Sequence, residues 1–217
     1  MKDETSGLSM YLSGYPLWKA IGFSLKHFDF TGLTIFLKAR KGSIQPDHIV
    51  KWGKRQHTLV IPYEEQILSR IKNWQRTLDC GCGVGYWGYE IRKNSLSEFI
   101  VGLDIHRKYL HIAKKLEVYD ELILASATAL PFRINVFHSM LAPELIEHLP
   151  KADGDKFLEQ AGRIADRIVI TTPAHYFKVT SAVQSEKHVS YWSEEELRNH
   201  GFCTEKDDEI IIAFFER

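Results

Sequence analysis

Three cysteines in 217 residues, at positions 80, 82 and 203, are too few and too unevenly spread for a disulfide framework. Cys80 and Cys82 also stand too close along the chain for an easy bridge. A reducing, cytoplasmic compartment is the expectation. No apolar run approaches the roughly 18 residues of a membrane span, and the opening MKDETSGLSM lacks the basic-then-apolar order of a secretory signal. Integral membrane association is therefore not expected. Net charge is missing as well, with 28 Lys/Arg against 28 Asp/Glu. The balance conceals an asymmetry: residues 1–60 hold nine basic and four acidic residues, and the rest holds 19 and 24. A basic segment of that size suits an anionic partner and equally suits an ordinary solvated surface. Internal repeats, low-complexity tracts and long Gly/Ser linkers are absent too. One principal domain over 61–217, preceded by an N-terminal extension over 1–60, is expected.

What is present from about residue 77 is alternation. Short apolar runs (RTLDC, EFIVGLD, ELILAS, VFHSML, RIVITTP) are separated by helical patterns (YWGYEIRKN, HRKYLHIAKKLE, DGDKFLEQAGRIA). Strands alternating with helices predict a mostly parallel sheet with helices on both faces. The tail HGFCTEKDDEIIIAFFER reads as a helix end at Gly201 and two strands about an acidic turn, an antiparallel hairpin closing one sheet edge. PYEEQILSRIKNW predicts an amphipathic helix over 62–74, led in by Pro62, with Ile67, Leu68, Ile71 and Trp74 on one side. In the extension, Trp18, Ile21, Leu25 and Phe28 lie at helical spacing ahead of the basic cluster Lys38–Gly42. This segment fits a helix packed on the core, a substrate lid or a membrane-surface helix.

The stretch LDCGCGVGYWG, 78–88, carries the most information. Gly81, Gly83 and Gly85 directly follow a strand and precede a helix, where glycine permits positive φ and lets a ligand approach the backbone. Gly83-x-Gly85-x-x-Gly88, with Asp104 about 20 residues on, also satisfies the dinucleotide fingerprint, so a nicotinamide-dependent oxidoreductase stands as a rival. Asp79 discriminates. A pyrophosphate cradle relies on bare backbone N–H groups, and an adjacent carboxylate opposes its charge. S-adenosylmethionine carries an ammonium, a sulfonium and a ribose but no phosphate, so carboxylates at Asp79 and Asp104 complement it.

Asp79-Cys-Gly81-Cys-Gly83-Val-Gly85 resembles the acid-x-G-x-G-x-G signature of class I S-adenosylmethionine-dependent methyltransferases. Asp104 in VGLDIHRKYLHIAKK is similar to that family's acid at the end of the second strand. ASATALPF resembles the segment after the third, VFHSMLAPELIEHL the fourth strand and its following helix, and RIVITTP the fifth. The resemblance covers residues 62–217 and implies a Rossmann-like seven-stranded sheet. It implies Asp79, Gly81, Gly83, Gly85 and Tyr86 around the methionine part of the cofactor and Asp104 on the ribose. Ile105 and the backbone of Ser126 and Ala127 go to the adenine, and Met140 to the sulfur. The chain departs from the pattern at Ser126 and His138, where the family often has acids. Cys80 and Cys82 occupy the variable positions between glycines, where a small buried residue fits, and Cys-x-Cys lacks a second ligand pair at metal spacing.

Acceptors in this family meet the methyl group beyond the fourth and fifth strands, here Ala142, Pro143 and Glu144, and Thr171, Thr172, Pro173 and His175. Spacing of three and four along a helix puts Glu144 beside Glu147 and His148, a face suited to a divalent cation or a general base. Similar E-x-x-E-H runs are metal ligands in the 3′-terminal 2′-O-methyltransferases of small RNAs, with a later histidine, for which His188 is the candidate. The same run also occurs in relatives without metal. The candidate catalytic residues are Glu144, His148 and His188, and the candidate metal ligands are these with Glu147. Tyr191 and Trp192 read as packing under a loop, with Ser193 as a helix N-cap. Methyl transfer to an O or N atom, with a small-molecule acceptor foremost, is expected. RNA as acceptor and a non-catalytic cofactor-binding subunit stay open.

Overall fold

Val, Ile and Leu at consecutive positions, as in RIVITTP, suit strands covered on both faces. In the computed structural model, which describes residues 63–71, 74–176, 185, 187–206 and 208–217, every such run is a strand. Contacts divide the chain into Met1–Pro62 with Lys178–Lys187, and Tyr63–Phe177 with His188–Arg217. The second unit carries the sheet and its helices. The expectations for residues 1–60 lie outside the described residues.

The elements are α1 (Glu64–Ser69), β1 (Trp74–Cys80), α2 (Tyr86–Lys93), β2 (Ser97–Asp104), α3 (Arg107–Lys114), β3 (Glu121–Leu124), β4 (Phe137–Pro143), α4 (Lys151–Ile164), β5 (Ala165–Pro173), α5 (Glu194–Asn199), β6 (Cys203–Lys206) and β7 (Ile210–Glu216). They build one seven-stranded sheet in the order β3-β2-β1-β4-β5-β7-β6. Pairings among β1 to β5 are parallel, and β7 runs antiparallel to both β5 and β6. The hairpin therefore inserts its second strand into the sheet and leaves its first at the edge. Burial explains the order. Ile210, Ile211, Ile212 and Ala213 are buried, whereas Cys203, Glu205 and Lys206 are exposed and tolerate an edge.

Leu78, Leu103, Met140, Ile168 and Ile170 stack in the sheet, and α4 lays Phe157, Leu158, Ala161 and Ile164 against them. Their i, i+1, i+4, i+7 spacing makes one apolar stripe. Trp192 is 1 % exposed and seats against Gly154 of α4, where an added Cβ would lie 2.3 Å from its ring. The packing expected of Trp192 is present.

Two local expectations differ from the fold. The helix predicted over 62–74 ends at Ser69, and Trp74 opens β1 instead. Ile67 in the helix and Ile71 just beyond it are both fully buried, so the core is covered without further helical turns. The run after β4 is a single 3-10 turn, Ile146–His148, in place of an α-helix. Prolines 143 and 150 bracket it, and a residue before proline is driven out of helical conformation; Leu149 is extended (φ −98°, ψ 138°).

The strand order reverses between β1 and β4. In an open parallel sheet the crevice outside the carboxyl ends of the strands at such a switch point is where ligands bind. Asp79, Asp104, Pro143 and Pro173 all lie at those ends.

Candidate active site

The glycine turn grows from the end of β1. Gly81, Gly83 and Gly85 have φ of +76°, +52° and +99°, a region costly for residues with a Cβ. The amides of Gly81 and Cys82 both donate to the Leu103 carbonyl, at 2.7 and 2.9 Å, which ties the turn to the end of β2. Gly83 N–H donates to Asp104 Oδ2 at 2.9 Å, and Oδ1 accepts from His106 N–H at 2.7 Å. Asp104 thus shapes the turn, and because each carboxylate oxygen accepts more than one hydrogen bond it can also serve a ligand hydroxyl. Around Gly83 no atom of the described residues stands within 4 Å of where a Cβ would be. Bare backbone beside open space is what a ligand lying against the turn needs.

Asp79 does not line that space, as a direct contact with the cofactor would require. Its carboxylate is completely buried, Oδ2 accepts from the Tyr119 hydroxyl at 2.6 Å, and Oδ1 has no hydrogen-bond partner among the described residues. Burial raises its pKa to about 7, with the Tyr119 hydrogen bond pulling the other way and the charge of Asp104 adding to the rise. The group lies beneath the turn, and its reach toward a ligand is electrostatic, through a medium that screens weakly. Met140 is fully buried, flanked by Leu78 and Ile168 in the register of the sheet, and packs in the core.

Tyr86 opens α2 and donates its hydroxyl to Glu64, pinning α1 against the turn. Ile105 is 56 % exposed and Leu124, at the end of the neighbouring strand, 45 %. Large apolar side chains left open at adjacent strand ends suit a flat aromatic ligand. Ser126 Oγ bonds to Thr128 Oγ1 at 2.8 Å and accepts from the Thr128 amide at 3.2 Å, so its hydroxyl closes a local turn. Ala127 is buried. Burial drives the thiols of Cys80 and Cys82 far above their usual range, which keeps them protonated and unreactive. His138 and His175 are exposed.

A second group assembles between the ends of β4 and β5 and the segment 188–190. Glu144 takes a left-handed conformation (φ +51°) just before the 3-10 turn, so the helical face expected for Glu144, Glu147 and His148 does not exist. The residues gather by another route. Val189 and Ser190 N–H groups donate to the Glu147 carbonyl at 2.9 and 3.1 Å. Ser190 Oγ donates to the Ile146 carbonyl and accepts from Trp192 Nε1 at 3.0 Å. These bonds bring His188 beside His148, with ring centroids 4.9 Å apart and nearly perpendicular. One ligand atom from each of Glu147, His148 and His188 then lies within 4.8 Å of the others.

Both carboxylate oxygens of Glu147 are buried and make no hydrogen bond of good geometry among the described residues, nor does Thr172 Oγ1; Thr172 and Glu144 are polar neighbours of Glu147. Burial, reinforced by the charge of Glu144, pushes the Glu147 pKa well above the carboxylate range. Glu144 is raised to about 7 by burial, with the polar side chains of Thr171, Glu147 and Tyr63 pulling the other way. Its Oε1 accepts from Thr171 Oγ1 at 3.1 Å. Unpaired buried carboxylates are costly. A cation among the two imidazoles would resolve that cost, so these residues fit a divalent metal of the mixed N/O kind.

Sequence reasoning missed Tyr119, Leu124 and Tyr63. Gly102, a glycine inside a strand, was the available signal for Tyr119, because such a glycine marks a close approach. The contact of Tyr63 with Glu144 had no sequence signal.

Residues 77–167, from β1 into β5, match the model of a methyltransferase domain. No curated protein matches the chain in sequence. Among solved structures the chain is similar to a SAM dependent methyltransferase from Aquifex aeolicus (TM-score 0.55, 18 % identity, covering 79 % of this chain and 97 % of that one). It is similar to a protein from Pyrococcus horikoshii OT3 (TM-score 0.57, 15 % identity, 71 % and 87 %). It also resembles the small RNA methyltransferase HEN1 (TM-score 0.56, 18 % identity), covering 75 % of this chain and 26 % of that one. At these identities the likeness is one of fold.

Proposed function

This chain is a class I S-adenosylmethionine-dependent methyltransferase, and from that premise we propose that it methylates a hydroxyl oxygen of a vicinal diol with the help of a divalent cation. The single observation that carries the reading is the gathering of Glu147, His148 and His188, with both Glu147 oxygens buried and making no hydrogen bond of good geometry among the described residues.

S-adenosylmethionine, when bound, supplies an electrophilic methyl group, so the protein mainly has to hold the acceptor in line and keep water away. Open backbone at Gly83 supports the cofactor's amino-acid end there, above the buried charge of Asp79. Asp104 is set for the ribose hydroxyls, and Ile105 with the backbone of Ser126 and Ala127 for the adenine. A divalent cation on Glu147, His148 and His188, with Glu144 beside them, would supply a Lewis acid toward an acceptor hydroxyl. A donor set this small leaves room for two neighbouring oxygens of the acceptor, which favours a diol over an amine. Glu144, whose pKa burial raises in the metal-free protein, stands beside these ligands as the group to take the hydroxyl proton. Thr171 orients it.

Vicinal hydroxyls occur at the 3′-terminal ribose of RNA and in catechol-like small molecules. The likeness to the small RNA methyltransferase HEN1 supports the first source. Radiolabelled methyl donor is offered with an RNA oligonucleotide ending in a free diol, with the same RNA after periodate oxidation, and with a catechol. Transfer to the free diol or the catechol is expected, lost on oxidation and on chelation. Glu147→Gln should lose metal binding in a calorimetric titration while raising the melting temperature of the metal-free protein at pH ~8, since the raised pKa of Glu147 costs the folded state stability at that pH and the amide does not titrate. Transfer that survives both chelation and Glu147→Gln would defeat the proposal.

A further inference from the structure

Four glycines in this domain have positive φ, at 81, 83, 85 and 201; Gly88 and Gly102 do not. Their reason is steric, and one ring meets both. A Cβ on Gly88 would lie 2.2 Å from Tyr119 Cζ, and one on Gly102 would lie 2.7 Å from Leu122 Cδ2 and 3.0 Å from Tyr119 Cδ1. One on Gly85 would lie 2.8 Å from Leu116 Cδ1 and 3.2 Å from Tyr119 Cε2. The hydroxyl admitted by this space donates to Asp79 Oδ2 at 2.6 Å and accepts from Gly88 N–H at 3.2 Å. That amide is among the first of α2 and has no partner inside the helix. Tyr119 thus joins the end of β1, the start of α2 and the approach to β3. Its ring packs against Gly88, the third glycine of the dinucleotide fingerprint.

We propose that Tyr119 is a positioning residue of the cofactor site, holding the Asp79 carboxylate in one orientation and favouring its charged form beneath the glycine turn. The inference rests on the proposed placement of the cofactor against that turn. The groups that bear on Asp79 are the Tyr119 hydroxyl and Gly88 amide, which favour its charge, and Asp104, which opposes it; the neighbouring Cys80 and Cys82 stay neutral thiols. Tyr119 is itself held protonated by burial and by Asp79, so it remains a donor. Removing that donor raises the Asp79 pKa further, and a cationic ligand then binds well only at higher pH.

The test is the affinity of wild type and Tyr119→Phe for S-adenosylhomocysteine from about pH 6 to about pH 8.5, with melting curves to show that both are folded. Expected for the variant is a loss of five- to tenfold near pH 7, one pKa unit being at most tenfold. Most of the affinity should return by pH ~8.5. An unchanged affinity, or a loss equal at every pH, overturns the proposal and leaves Tyr119 as packing. Wild type that binds no S-adenosylhomocysteine overturns the cofactor site itself, and the proposal with it. Should Tyr119→Phe not fold, wild type labelled with 13C-aspartate replaces it. The Asp79 titration should move down on adding S-adenosylhomocysteine, and an unmoved titration overturns the inference.

Discussion

Asp79 sets a conflict between stability and function that a single substitution can separate. Its pKa stands at about 7 in the fold against 3.8 for an ordinary aspartate, so the folded state binds this proton more tightly than the unfolded chain does. The stability it contributes is complete below about pH 4 and is lost as pH rises through about 7. Asp79→Asn keeps an acceptor for Tyr119 and removes the charge. The variant is expected to melt higher than wild type at pH ~8, by at most about 4 kcal/mol given about 1.4 kcal/mol per pKa unit, and no higher at pH ~4. Its affinity for S-adenosylhomocysteine should fall. Thermal melts at the two pH values, paired with a binding isotherm, check both halves. A variant less stable than wild type at pH ~8 would mean that the carboxylate's charge is compensated in the fold.

Among elements, α5 shows how far local chemistry alone reaches. Ser193 caps it by accepting from Glu196 N–H at 3.2 Å, and the Glu196 side chain returns to accept from Ser193 N–H at 2.8 Å. This reciprocal box is written in the sequence as S-x-x-E. Ser193→Ala is expected to cost about 1 kcal/mol while leaving cofactor affinity alone, as chemical denaturation and a binding titration would show. The E-x-x-E-H run is the opposite case. Its spacing suggests a helical face, but Pro143 and Pro150 limit it to a 3-10 turn. His188 joins through backbone bonds from Val189 and Ser190 to the Glu147 carbonyl. The residue types were legible in the sequence, and the geometry that groups them was not.

For the whole molecule, the switch point between β1 and β4 places both candidate groups at the carboxyl ends of the parallel strands, the glycine turn at β1 and β2 and the histidine cluster at β4 and β5. A ligand bound there bridges strands that diverge in chain order, so it should stabilise the domain as a unit. S-adenosylhomocysteine at about 100 times its dissociation constant is expected to add about 2.7 kcal/mol, read as a rise in melting temperature in a single transition. An unchanged melting temperature at saturating ligand would place the binding site outside this fold. Among the described residues no helix is long and apolar enough to cross a membrane.

The sequence by itself determined the parallel sheet, the glycine turn and the capped final helix, because each depends on neighbours within a few positions: strand periodicity, positive φ after a strand, a serine three residues before a glutamate. Tertiary structure decided the rest. Tyr119 meets Asp79 across 40 positions, Ser190 reaches Ile146 across 44, and Met140 disappears into the core because Leu78 and Ile168 flank it in the sheet. Contacts of that kind leave no period in the chain. They arise when the strands take their order, and the burial they create raises the pKa values of Asp79, Glu144 and Glu147.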